Sequence, residues 1–175
     1  TTWYPIVKSF ADTRYHRDLP GSDGTMLGAH QLAWLLESLS NSTATFKLIA
    51  SGSRFTLEGS DDSWAEYPTE RAVLFDHIAS AQVAGVVFLS GDIPRVEVRE
   101  MDLGQTPYPF WEFVSSPLNN DHGTGCTAPG GDTLHYCSGG YPDGVYALLR
   151  ADTTVSDPTL TYELRGVTNE LLFTT

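Results

Sequence analysis

Residues 85–89, Gly-Val-Val-Phe-Leu, form an unbroken apolar run that stops at Ser90-Gly91-Asp92. A strand apolar on both sides must be covered on both sides, which is the signature of a central parallel strand. Parallel neighbours in turn require crossover connections, and residues 1–100 supply them. Pro5 to Ala11 reads as a first strand ending at Asp12-Thr13-Arg14, and Thr45 to Ala50 as a second ending at Ser51-Gly52-Ser53-Arg54. Between them, Leu32, Leu35, Leu36 and Leu39 recur at i, i+3, i+4 and i+7 and predict a helix over 28–40. Leu27, His30 and Trp34 fall on a second side of that helix, a side suited to another layer or a partner chain. A second helix is expected over 70–81, capped by Thr69, with Leu74, Phe75, Ile78 and Ala81 facing the core.

The three strands therefore end in polar clusters, at Asp12/Arg14, Ser51–Ser53 and Ser90–Asp92. In open α/β sheets ligands bind at the carboxyl ends of the strands. The pattern predicts that these distant residues converge on one crevice. Asp92 is its candidate catalytic or metal-binding carboxylate, or else a turn-forming residue. Arg14 is its candidate phosphate-binding residue through the planar guanidinium fork, or else the partner of a carboxylate such as Asp12 or Asp18. Ser51 and Ser53 read as loop-formers, because no base is placed beside them.

Beyond residue 100 the signals change. Arg95 to Arg99 alternates as a strand with one wet face, and 111–114, 145–149, 160–164 and 171–174 read as further strands, the last three as an antiparallel meander. The stretch 116–142 reads as one long loop. It holds the only two cysteines, Cys126 and Cys137, eleven positions apart, and a loop-closing disulfide is expected between them. Asn41-Ser42-Thr43 is an N-glycosylation acceptor. Both features point to a secreted, extracellular or periplasmic protein. The chain opens on Thr1 without a leader-like segment, so processing or trimming is expected.

The whole is read as one domain over 1–175: an α/β portion over 1–100 and a β-rich α+β tail over 101–175. Lys and Arg number 10 against 22 Asp and Glu, a formal charge of −12 that disfavours nucleic acid and anionic membrane as partners. No apolar run approaches the roughly 20 residues of a membrane-spanning helix. The histidines His16, His30, His77, His122 and His135 show no metal-ligand spacing, and Tyr108, Phe110 and Trp111 read as core.

Taken in order, Asp12-Thr13-Arg14-Tyr15, Thr25-Met26-Leu27-Gly28, Gln31, Trp34-Leu35, Ser63-Trp64, Tyr67-Pro68, Glu70-Arg71, Leu89-Ser90-Gly91-Asp92, Pro107-Tyr108-Pro109, Glu112 and Ser115-Ser116 resemble the alkaline phosphatase D (PhoD-like) metallophosphoesterases. The resemblance implies the carboxy-terminal half of a metallophosphoesterase-like sandwich: a mixed sheet, two main helices and a C-terminal antiparallel meander. It places most metal ligands in an amino-terminal half that these residues do not match. Where the family has Ser-Gly-Asp-x-His, this sequence has Pro94, which offers a metal no lone pair. The expected reading is a noncatalytic pseudo-phosphatase or assembly subunit that holds no cofactor by itself. The alternative is the carboxy-terminal chain of a split, secreted phosphodiesterase. In that case a divalent or ferric metal, with calcium, would bind once the missing half is present. The expected partners are accordingly that half or copies of this chain.

Overall fold

A computed structural model describes residues 6–56, 62–102, 106, 108–116, 132–139 and 144–175. The elements in chain order are β1 (Ile6–Ala11), α1 (Gly28–Asn41), β2 (Phe46–Ser51), a 3-10 turn (Trp64–Glu66), α2 (Pro68–Ser80), β3 (Val86–Ser90), β4 (Val96–Met101), β5 (Phe110–Ser115), β6 (Asp132–Ser138), β7 (Val145–Asp152), β8 (Thr159–Gly166) and β9 (Leu171–Thr174). Six strands form one sheet in the order β1-β2-β3-β5-β4-β6, and β7-β8-β9 form a second. β1, β2, β3 and β5 are mutually parallel, while β4 runs antiparallel to β5 and β6. β3 is thus a central parallel strand, as its unbroken apolar run requires.

Three layers result. On one face of the large sheet, Leu35 and Leu39 of α1 and Leu74, Phe75 and Ile78 of α2 pack with Ile49, Phe88 and Phe110. Phe88 has ring contacts with Phe55 at 4.2 Å and with Phe75 at 5.4 Å, so the core here is largely aromatic. On the other face, Leu48, Val87, Val98 and Phe113 meet Val145, Tyr162 and Leu164 of the meander. Helices cover one side and the small sheet covers the other, so the β-branched strands are buried twice.

Several expectations are corrected. The polar positions of β4 are not wet: Glu97 and Arg99 are both 0 % exposed. They escape the cost of burial by pairing, Arg99 Nε donating to Glu97 Oε2 at 2.6 Å. Alternation alone cannot distinguish a solvated polar face from a buried ion-paired one. β6 lies in the stretch read as loop, because Leu134 and Tyr136 are its one short apolar alternation among polar residues. α2 begins at Pro68, a residue with no N–H to waste at the first helical position, and Thr69 lies inside the helix. Ala81 is exposed beyond the end of that helix, where Glu70 and Arg71 take buried places instead. Leu27 precedes α1 and is 1 % exposed in the helical core, so only Trp34 and His30 remain as an outward side. β4, β5 and β6 share the sheet of β1–β3, and β7–β9 form the other.

Candidate functional site

The register brings the predicted tips level. Ala11 is opposite Ser51, Ser51 opposite Ser90, and Ser90 opposite Val114. Residues some forty positions apart in sequence therefore meet at one end of the sheet, as the polar clusters predict.

The loop after β1 is shaped first by its own side chains. Asp12 Oδ1 accepts the backbone N–H groups of Arg14 (2.9 Å) and Tyr15 (3.0 Å), an Asx turn that also holds the Asp12 carboxyl below its usual range. Gln31 of α1 clamps the same residue, accepting from its N–H at 2.7 Å and donating to its carbonyl at 2.8 Å. This turn aims Arg14 along the tips. Its Nη2 donates to Asp62 Oδ2 at 2.7 Å, and Nη1 bonds the other oxygen of Asp62. Nη2 also reaches Asp92 Oδ2. Arg17 joins Asp62 from a second side.

The two guanidinium groups, Arg14 first, hold the Asp62 carboxyl down at about 2. The same contact with Asp62 pushes Arg14 upward. Asp92 sits at φ +60, a conformation uncommon outside glycine. The turn after β3 thus presents its carboxylate to Arg14.

Beneath this rim lies a dry layer of charge. Glu112 of β5 is 0 % exposed and accepts the N–H groups of Phe55 (2.7 Å) and Thr56 (3.1 Å) and the hydroxyl of Ser90. Burial raises the Glu112 carboxyl, against the pull of those donors and of Arg54. Arg54 lies 3.5 Å from Glu97, which also holds Arg95 and Arg99. This network fixes the loop after β2 to the tips of β3 and β5. Ser51 Oγ donates to the Ser53 carbonyl at 2.6 Å and accepts from the Trp64 indole at 3.2 Å, the loop-forming role expected of it.

Of the sequence-predicted residues, Arg14 and Asp92 are brought together. Asn41 is exposed at the end of α1, 27 positions beyond Arg14, and Cys137 is on β6 opposite Glu97. Cys126 and His122 lie outside the described residues. His77 accepts or donates at Ser40 Oγ (2.8 Å) and lies 3.1 Å from the Leu36 carbonyl, joining the two helices. His135 stacks on Trp111 and pairs with Glu100. Asp62, Arg17, Glu97 and Glu112 escaped sequence reasoning as site residues. The one signal available was Glu112 within the motif series, where a lone acid amid apolar strand residues implies a buried partner.

A metal-dependent phosphatase needs several converging carboxylates and imidazoles. Among the described residues no group of three His, Cys, Asp or Glu side chains is placed to hold an ion. Asp62 and Asp92 at the rim are engaged by arginine, Asp12 by backbone N–H groups, and Pro94 at the turn has no donor atom. The described residues do not fit a metal by themselves. Arg14 and Arg17 bring two guanidinium groups to this rim, both paired with Asp62.

The profile of the PhoD-like phosphatase family matches residues 8–133. Alkaline phosphatase D of Bacillus subtilis (strain 168) is 32 % identical over a stretch covering 47 % of this chain and 18 % of the relative. The solved structure of PhoD superposes with a TM-score of 0.61 at 19 % identity, covering 97 % of this chain and 42 % of that one. The chain therefore spans less than half the length of either. No helix among the described residues is long and apolar enough to cross a membrane.

Proposed function

Because the chain belongs to the PhoD-like phosphatase family, we propose that these 175 residues form a noncatalytic portion of that phosphoesterase fold, acting outside the cell. The observation that carries the reading is the state of the strand tips. Asp62 and Asp92 are both paired with Arg14 there, and Asp12 is taken up by the turn it caps, so these carboxylates are spent on internal contacts. Arg14 is the residue fitted to a phosphate oxygen. Its forked N–H groups already bind both oxygens of Asp62, and a phosphate would offer two oxygens to the same fork. A disulfide between Cys126 and Cys137 and a glycan at the exposed Asn41 belong to the same extracellular reading.

The experiment is a turnover assay. The purified chain, incubated with bis(p-nitrophenyl) phosphate and Zn²⁺, Fe³⁺ or Ca²⁺, is expected to release nitrophenol no faster than the blank. Saturable release proportional to chain concentration would sink the proposal.

A second reading, the carboxy-terminal chain of a split phosphodiesterase, is favoured by the 42 % coverage of PhoD. It expects a companion polypeptide that supplies the metal ligands. Non-denaturing mass measurement of the native material tests it: a companion rich in Asp, Asn and His supports it, and a homopolymer of this chain opposes it.

A further inference from the structure

On the helical side of the molecule a cavity of about 400 Å³ opens between the starts of α1 and α2. Ala29 and Leu32 of α1 and Val73 of α2 give it aliphatic walls, and the loop 22–25 forms another side. Arg14, Arg17, Asp62 and Asp92 do not line it, so it is separate from the rim at the strand tips. The loop is held in place. Asp18 Oδ2 accepts from the N–H of Thr25 at 3.0 Å and from its hydroxyl at 2.7 Å. The Gly21 N–H donates to the Glu66 carbonyl at 2.9 Å, and the Tyr67 hydroxyl donates to the Asp18 carbonyl at 2.8 Å. The cavity is therefore preformed, as small-molecule sites commonly are.

Its charge comes from Glu70, which lines the cavity and is 3 % exposed. Glu70 Oε2 accepts the N–H groups of Met26 (2.5 Å) and Leu27 (3.0 Å), and these fix the carboxylate. Its other oxygen, Oε1, is shut off from solvent and accepts no hydrogen bond. A buried carboxylate oxygen with neither water nor a donor is costly, so Oε1 is an acceptor awaiting a partner. Asp23 adds a second carboxylate to the lining and has only a long contact, 3.5 Å, from Ser22 Oγ. Two helix starts carry roughly half a positive charge each, against two carboxylates, so the cavity keeps a net negative charge of about one. No Lys, Arg or His among the described residues lines it to neutralise that charge.

We propose that this cavity binds a primary ammonium with a short aliphatic body. Its N–H groups donate to Glu70 Oε1, and its carbon chain lies against Ala29, Leu32 and Val73. An ammonium carries three donors, and Thr25 and Thr69 bring further hydroxyl acceptors to the same cavity. A hard metal ion fits less well, because it takes six or more oxygen ligands. Among the described residues no three His, Cys, Asp or Glu are placed to hold one. The aliphatic walls likewise favour a carbon chain over a hydrated inorganic cation. The site stands whether or not the strand tips are catalytic.

The test is an amide NMR titration of the 175-residue chain with n-butylammonium chloride, against sodium chloride at the same ionic strength. Saturable shifts are expected at the Met26, Leu27 and Glu70 amides, with a midpoint on the order of 1 mM and no response at Asp92. 1-Butanol has the same skeleton without the charge and should bind about tenfold more weakly. Glu70→Gln keeps the shape and removes the charge, and should weaken butylammonium about tenfold. Ala29→Phe alters an exposed side chain, so it should leave the melting temperature in place while its ring occupies the cavity and abolishes the saturable shifts. Where Glu70→Gln does not fold, Ala29→Phe decides. The proposal is overturned by shifts that sodium reproduces, by equal binding of 1-butanol, or by tighter binding of Mg²⁺ at the same amides. It is equally overturned by undiminished binding in either variant. Phosphodiester turnover by the chain alone would remove the noncatalytic reading and leave this site standing.

Discussion

At Asp62 a carboxyl lies between two guanidinium groups, and its proton affinity reports whether they are there. Arg14, then Arg17, hold it at about 2 against an ordinary 3.8. A depressed carboxyl stabilises the fold above its unfolded value and loses that contribution as pH falls through its folded one. The contribution of Asp62 is thus complete above pH 3.8 and disappears towards pH 2. The side chain is 40 % exposed, so solvent and salt screen the pair and the effect on stability is small. The expected result is a carbon-13 titration midpoint for Asp62 near 2 that moves upward in Arg14→Gln, with Arg17 keeping it below the ordinary range. A midpoint unmoved by that substitution would show that Arg14 does not hold the carboxylate. Glu112 shows the reverse case at the same scale. It is buried completely, so desolvation outweighs its three donors and its carboxyl is raised.

Among the elements, the entry into β3 depends on one glycine. Gly85 has φ +70, and a Cβ there would lie 2.0 Å from the Thr45 carbonyl oxygen. Its own carbonyl accepts from Lys47 N–H at 2.8 Å, which ties the start of β3 to β2. Gly85→Ala meets both a left-handed backbone penalty, about 1–3 kcal/mol, and a backbone clash. Urea unfolding should show a loss of at least that size, and a loss below about 0.5 kcal/mol would mean the loop refits freely. Strands and helices were well marked in the sequence where apolar periodicity is strong: β1, α1, β2, α2, β3 and the meander all lie within a few residues of their expected spans. β6 was not legible, because its apolar alternation is only two residues long, Leu134 and Tyr136, amid Asp132, Thr133, His135 and Ser138. The polar face of β4 was legible as alternation and misread as wet, since burial of Glu97 and Arg99 depends on arginines from other segments.

Across the whole molecule, stability divides between two apolar layers on either side of the large sheet. Among the described residues the inter-sheet layer holds fewer fully buried apolar side chains than the helical one. Leu164 is 0 % exposed within the inter-sheet layer. Leu164→Ala should cost about 2–5 kcal/mol by lost burial and the cavity left behind. Because the meander is held to the large sheet through this layer, exchange in β7–β9 should rise more than in β1–β3. Uniform acceleration across both sheets would mean they unfold as one unit. The candidate site was half legible at this scale: convergence of Arg14 and Asp92 follows from parallel strands ending level, whereas the intervention of Asp62 does not.

The amino-acid sequence by itself determined the parallel α/β order of the first hundred residues, the polar strand ends and the family, because periodicity and ordered motifs are local properties. Only the tertiary structure decided which charges pair. Arg14 meets Asp62 across 48 residues and Phe55 meets Glu112 across 57. It also decided which apolar faces remain open. Both are matters of distance through space, and a buried ion pair and a solvated polar stripe are written in the same residue types.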